Sequence, residues 1–202
     1  MITSRQNLLS ILSFMFLIFY LPIILILVNI IPFSFRFELL IIITIVLIIY
    51  SVYNKYTLHS LGFRKETLKK SLIVNLLISS LFILLMLLLY YLNLIRKPTI
   101  PKWNLFFAFY ICISSPSQEF LYRGFLFAFF ERNNINSHIK KIVFSTITYA
   151  FLHIIYMDLI TVIVALMIGA IWGLIYSKFP NIIGVALSHA ILGVVSILVG
   201  II

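Results

Sequence analysis

Residues 39–50 read LLIIITIVLIIY. A membrane-barrel strand alternates apolar and polar side chains, and this run does not. Inside lipid the backbone has to satisfy its own hydrogen bonds, which leaves helices or a closed barrel. Without alternation the run reads as a helix. With its flanks, residues 37–53, it approaches the roughly 20 helical residues that cross a hydrocarbon core.

Six further runs of this kind lie on either side, at residues 8–32, 71–95, 104–130, 139–156, 159–177 and 181–202. The expected fold is all-α, a polytopic transmembrane helical bundle of about seven spans in a single membrane domain, residues 1–202. Composition agrees. The chain is 63% hydrophobic and 10% charged, against roughly 25% charged in soluble domains. A mean hydropathy of +1.20 leaves too little polar surface to cover a water-soluble globule. The first run is too long for a signal-peptide core and no small-residue cleavage site follows it, so it is expected to be a retained span. No soluble appendage is expected beyond the last run. Pro22 should kink the first span and Pro116 should break the fourth.

The net charge of +10 could suggest nucleic acid, but the cations sit in short segments between apolar runs, where they mark loops and meet anionic lipid heads. Placing the N-terminus inside puts ten cations on the inner face: Arg5, Lys55, Arg64, Lys65, Lys69, Lys70, Arg132, Lys140, Lys141 and Lys178. Four fall outside: Arg36, Arg96, Lys97 and Lys102. The bias favours N-inside and C-outside. The segment 54–70 is expected to be a cytoplasmic loop with a short helix, and residues 156–158 a tight turn. Usage rich in Ile, Asn and Lys points to a bacterial cytoplasmic membrane. The lone Cys112 excludes an internal disulfide and a multi-cysteine metal site. Cys112, Ser188 and Ser196 read as small packing residues. The aromatic run Phe106–Tyr110 reads as lipid-facing or interfacial, and Gly169 with Gly173 as a close-packing pair.

Of five carboxylates, Glu119 lies mid-span. An ionisable group at that depth costs at least about 2.5–3.5 kcal/mol. Arg123 follows at i+4 on the same helix face. His153 and His189 lie deep in two later spans, His153 four residues after Tyr149. One carboxylate, one arginine and two histidines from three helices could converge on one cavity. Carboxylate and imidazole can deprotonate a water, two imidazoles and a carboxylate can bind zinc with an open position, and a histidine can serve an oxyanion. A buried Glu–Arg pair alone is as often a helix-fixing ion pair, and a lone intramembrane histidine is more often an interhelical hydrogen bond. Their joint occurrence favours function.

Three stretches in order resemble the motifs of the CPBP family of intramembrane proteases, the type II CAAX endopeptidase or Abi family. They are Gln118-Glu119-Phe120-Leu121-Tyr122-Arg123-Gly124-Phe125, then Tyr149-Ala150-Phe151-Leu152-His153, then His189-Ala190-Ile191-Leu192-Gly193. The family patterns are Glu-Glu-x-x-x-Arg, Phe-x-x-x-His, and His followed four residues later by Asn or Asp. The resemblance covers residues 104–196, a protease-like core. It implies peptide-bond cleavage by activated water, with Glu119, His153, His189 and Arg123 as catalytic residues. It also implies a peptide or membrane-anchored protein as substrate, and lipid but no nucleic acid as partner. It points to a metal-independent mechanism, with no cofactor; zinc on Glu119, His153 and His189 is the alternative.

Three positions depart from the pattern. Tyr149 for Phe is mild. Gln118 stands where the family has its presumed base, and an amide cannot deprotonate water at neutral pH. Gly193 removes an oxyanion donor. Either Glu119 acts as base with His153, or the chain is a silent relative serving as scaffold, regulator or bacteriocin-immunity protein. A small transporter ranks last, because no paired repeat halves are visible.

Overall fold

A computed structural model describes residues 2–201, with side-chain burial from residue 8 onward. The side chain of Arg5 and the terminal Ile202 lie outside the described residues. The first rod joins α1 (Ile2–Met15), a π-helical turn at Phe16–Tyr20, and α2 (Leu21–Leu27). Then come α3 (Arg36–Tyr53) and α4 (Lys65–Tyr91). The next rod is built of α5 (Phe106–Phe109), a π turn Tyr110–Ser114, α6 (Ser115–Glu119), a second π turn Phe120–Phe125, and α7 (Leu126–Arg132). It is followed by α8 (His138–Leu152) with a 3₁₀ extension His153–Tyr156, α9 (Leu159–Lys178) and α10 (Ile182–Val199). No strand occurs among the described residues.

The bundle has seven rods, as expected, and among the described residues six of them are long and apolar enough to cross a membrane by length and composition alone. The exception is the rod from α5 to α7. Its polar residues from Ser114 to Arg123 lower its hydropathy, and burial compensates. Residues 118–130 are all buried, with α3, α8 and α10 packed around them. Outward faces elsewhere carry exposed Leu81, Leu84, Ile49 and Val52, as helices facing acyl chains should.

Boundaries shift for local reasons. The first span stops at Leu27 because Asn29 takes a left-handed φ of 60° and Pro32 follows. The third begins at Lys65 instead of 71 and ends at Tyr91 instead of 95. Exposed Lys65, Lys69 and Lys70 ride on its first turns, where long cationic side chains reach the headgroups. The segment before it, residues 54–64, forms turns without the expected short helix.

Both prolines act through a widened turn. Pro22 and Pro116 have no N–H for the carbonyls four residues back, Ile18 and Cys112. Each of those carbonyls lies within a π turn, Phe16–Tyr20 and Tyr110–Ser114. Short polar caps start the later helices. Ser137, Asp158 and Asn181 accept from the backbone N–H groups of Lys140, Thr161 and Gly184. The tight turn expected at 156–158 forms around Met157 at φ 53°.

Gly200, at φ +86°, closes α10. Over it lies Arg96, donating to the carbonyls of Gly200 (3.3 Å) and Ile201 (2.9 Å) and to Asp158 Oδ2 (2.6 Å). The Thr161 hydroxyl, 2.5 Å away, and then Arg96 hold the Asp158 carboxyl below the usual carboxylate range.

Candidate active site

The polar residues of the buried rod meet those of α8, α9 and α10 at one place. Glu119 Oε1 accepts from Arg123 Nη1 at 3.0 Å and from His189 Nδ1 at 2.7 Å. Glu119 and Arg123 are 0% exposed and His189 3%. Arg123 Nη2 donates to the Gly169 carbonyl at 3.2 Å. Its guanidinium lies 4.4 Å from the Tyr149 ring centroid and 5.4 Å from that of Trp172, so aromatic faces take over part of the work of water. His189 stacks on Trp172 at 4.8 Å. Trp172 is itself tied by its Nε1–H to Ser188 Oγ, which meets Ser79 Oγ across on α4.

Each imidazole has its orientation set by the bond at Nδ1. His189 Nδ1–H faces the Glu119 carboxylate, and His153 Nδ1–H donates to the Tyr149 carbonyl at 2.9 Å. An imidazole that donates at Nδ1 keeps its lone pair on Nε2. Tyr149 stands between them, edge-on to both rings.

Two cavities adjoin the cluster. One, of about 640 Å³, is lined at its inner end by Tyr110, Ser114, Gln118 and His153, and at its outer end by Arg36, Arg96, Lys97, Lys102 and Asp158. The other, about 60 Å³, is bounded by His153, His189, Tyr149, Trp172, Gly193 and Tyr110. Tyr110 and His153 border both.

Of the residues singled out in the sequence, Glu119, Arg123 and His189 form one hydrogen-bonded unit, and Tyr149 covers it. Gln118 turns the other way. Its Nε2 donates to Ser114 Oγ at 3.1 Å, while its Oε1 is buried on the cavity wall without a hydrogen-bond partner among the described residues. Glu119 Oε2 is likewise buried and unpartnered. His153 reaches both cavities and is fixed by a carbonyl rather than by Glu119. Gly193 lies one turn past His189, and the space beside it is filled by the Tyr110 hydroxyl.

Some assignments change. Phe106 is buried and Tyr110 lines the cavities, so the aromatic run is not uniformly lipid-facing. Cys112 is exposed, whereas Ser188 and Ser196 are buried and hydrogen-bonded. Gly169 packs closely, as its spacing suggests: a Cβ there would lie 2.9 Å from the Tyr149 ring. Its carbonyl also serves Arg123. Trp172 and Tyr110 carry no motif; their one sequence signal is an aromatic ring with a polar tip inside an apolar run.

The zinc alternative would have to draw on Glu119, His153 and His189. Among the described residues no three His, Cys, Asp or Glu side chains are disposed to hold a metal ion. Glu119 Oε1 and His189 Nδ1 are spent on each other, and the adjacent guanidinium opposes a second cation.

Residues 100–195 match the profile of the type II CAAX prenyl endopeptidases of the Rce1-like kind. No curated protein and no solved structure matches the chain. The match spans all three motifs and the helices that bring them together. On it, residues 100–195 of this multi-pass membrane protein are similar to the Rce1-like type II CAAX prenyl endopeptidase family.

Proposed function

We propose that the chain is an intramembrane endopeptidase that hydrolyses a peptide or membrane-anchored protein without a metal. The observation that carries this is the Glu119–His189 contact of 2.7 Å, closed behind by Arg123 and open in front to the small cavity. A carboxylate on Nδ1 fixes the tautomer and stabilises the imidazolium that forms. Water entering between His153 and His189 attacks the scissile carbonyl carbon and passes a proton to His189 Nε2. The C–N bond then breaks and the same proton goes to the leaving amine. General base catalysis of this kind supplies roughly 10²- to 10⁴-fold.

In this scheme Glu119 is the group behind the base rather than the base itself, and Gln118 needs no charge. Its unpartnered Oε1 on the cavity wall suits a backbone N–H of the substrate. The cation count supports an N-terminus on the inner face, and the sequence usage supports a bacterial cytoplasmic membrane. The large cavity, flanked by Arg36, Arg96, Lys97 and Lys102, then opens on the outer face.

The test is N-terminal labelling of membranes from cells producing the wild type or His189→Ala at equal levels. New N-termini on membrane proteins should appear with the wild type alone. Identical sets would overturn the protease and leave the silent binding protein.

A further inference from the structure

Attack on a carbonyl moves an electron pair onto its oxygen, and that oxygen needs a donor in a site this dry. The groups of the cluster are mostly committed elsewhere. Both Arg123 Nη atoms go to Glu119 and Gly169, and the side chain is shut off from the cavity. His153 Nδ1–H goes to the Tyr149 carbonyl. Gln118 Nε2 goes to Ser114. His189 Nε2 accepts, and has no proton to give until it has taken one from water. Gly193 has no side chain.

Tyr110 remains. It leads the π turn Tyr110–Ser114, and its ring crosses to Gly193 and His189 on α10. A Cβ built on Gly193 would collide with Tyr110 Oη and lie 2.5 Å from Cζ. The hydroxyl therefore occupies the space that a side chain at position 193 would enter. Position 193 follows His189 by one turn on the same helix face. The tyrosine ring stands edge-on to His189, centroids 6.0 Å apart, and borders both cavities.

We infer that the Tyr110 hydroxyl is the oxyanion donor of this site, reaching across from the buried rod to supply from one helix what Gly193 lacks on another. The inference rests on the peptidase reading. A neutral phenol suits the role: it donates without bringing a second charge beside Arg123. The carbonyl π pair moves to oxygen against the Tyr110 O–H as the water oxygen bonds to carbon, and returns when the C–N bond breaks. The phenol keeps its proton throughout.

The probe is a mixed-sequence set of lipid-anchored quenched-fluorescence peptides, with the purified protein in phospholipid nanodiscs. On a peptide the wild type cuts, Tyr110→Phe should lower kcat by roughly 10²- to 10³-fold with KM unchanged. The double variant Tyr110→Ala with Gly193→Asn, which moves the donor to α10, should recover at least a tenth of wild-type kcat. Wild-type kcat in Tyr110→Phe, beside an inactive His189→Ala, would overturn the oxyanion role and leave the peptidase standing. A raised KM with kcat intact would make Tyr110 a binding group and overturn the role as well. No cleavage by the wild type would remove both. Should Tyr110→Phe fail to assemble, the folded double variant decides: active supports the role, inactive overturns it.

Discussion

Burying the Glu119 carboxylate beside the Arg123 guanidinium takes two charges out of water, and a pair so placed need not stabilise the fold relative to apolar residues. Removing one partner is a different matter. Arg123→Met leaves the carboxylate buried with His189 as its one donor, and should cost about 3–5 kcal/mol. A thermal midpoint in detergent well below wild type is the expected readout; an unchanged midpoint would mean that the pair contributes little to the fold. Glu119 and Arg123 were legible because charge at that depth is expensive and i, i+4 spacing is short. His189 was legible as a lone polar group in an apolar run. Tyr110 was not, since aromatic residues near a span end default to lipid. What distinguishes it is the missing side chain at Gly193, 83 residues away, and no local pattern connects the two.

At the scale of the element, the π turns at Tyr110–Ser114 and Phe120–Phe125 set which way the buried rod turns its polar residues. The first follows from Pro116, and a break there was readable. The second has no proline. It holds Gly124, where a Cβ would meet Ile182 Cδ1 at 2.5 Å and the Leu61 carbonyl oxygen at 2.8 Å. The glycine after Arg123 thus lets the rod pass against the loop before α4 and the start of α10. Gly124→Ala should destabilise by about 1–3 kcal/mol through overpacking, seen as a lower thermal midpoint in detergent; wild-type stability would show that this crossing has slack. Helix ends were less legible than helix existence. Cations that read as a loop, Lys65, Lys69 and Lys70, are compatible with helix because their side chains reach the headgroups. The small polar residues Ser71, Asn75 and Ser79, each four apart on α4, form a buried stripe, with Ser79 bonded to Ser188 on α10. Each alone is unremarkable in a span.

Across the whole molecule, the all-α membrane bundle followed from hydropathy, and one of its seven rods falls short of a span by composition alone. The rod that carries Gln118, Glu119 and Arg123 is too polar to qualify by composition, and its neighbours enclose it. That enclosure makes a dry site with an opening toward Arg36, Arg96 and Lys102. In that enclosure, removing the negative charge at position 119 takes the charged partner from Arg123 and His189 alike, so it should be felt in folding as well as in chemistry. The decisive measurement is cleavage of lipid-anchored peptides by purified protein in nanodiscs, wild type against Glu119→Gln, with Gln118→Glu alongside. The wild type should cut, and Glu119→Gln, unable to hold His189 in the required tautomer as a charged partner, should lose about 10³- to 10⁴-fold in kcat. Wild-type turnover by Glu119→Gln, or a silent wild type beside an active Gln118→Glu, would contradict a Glu119-backed His189 as the base.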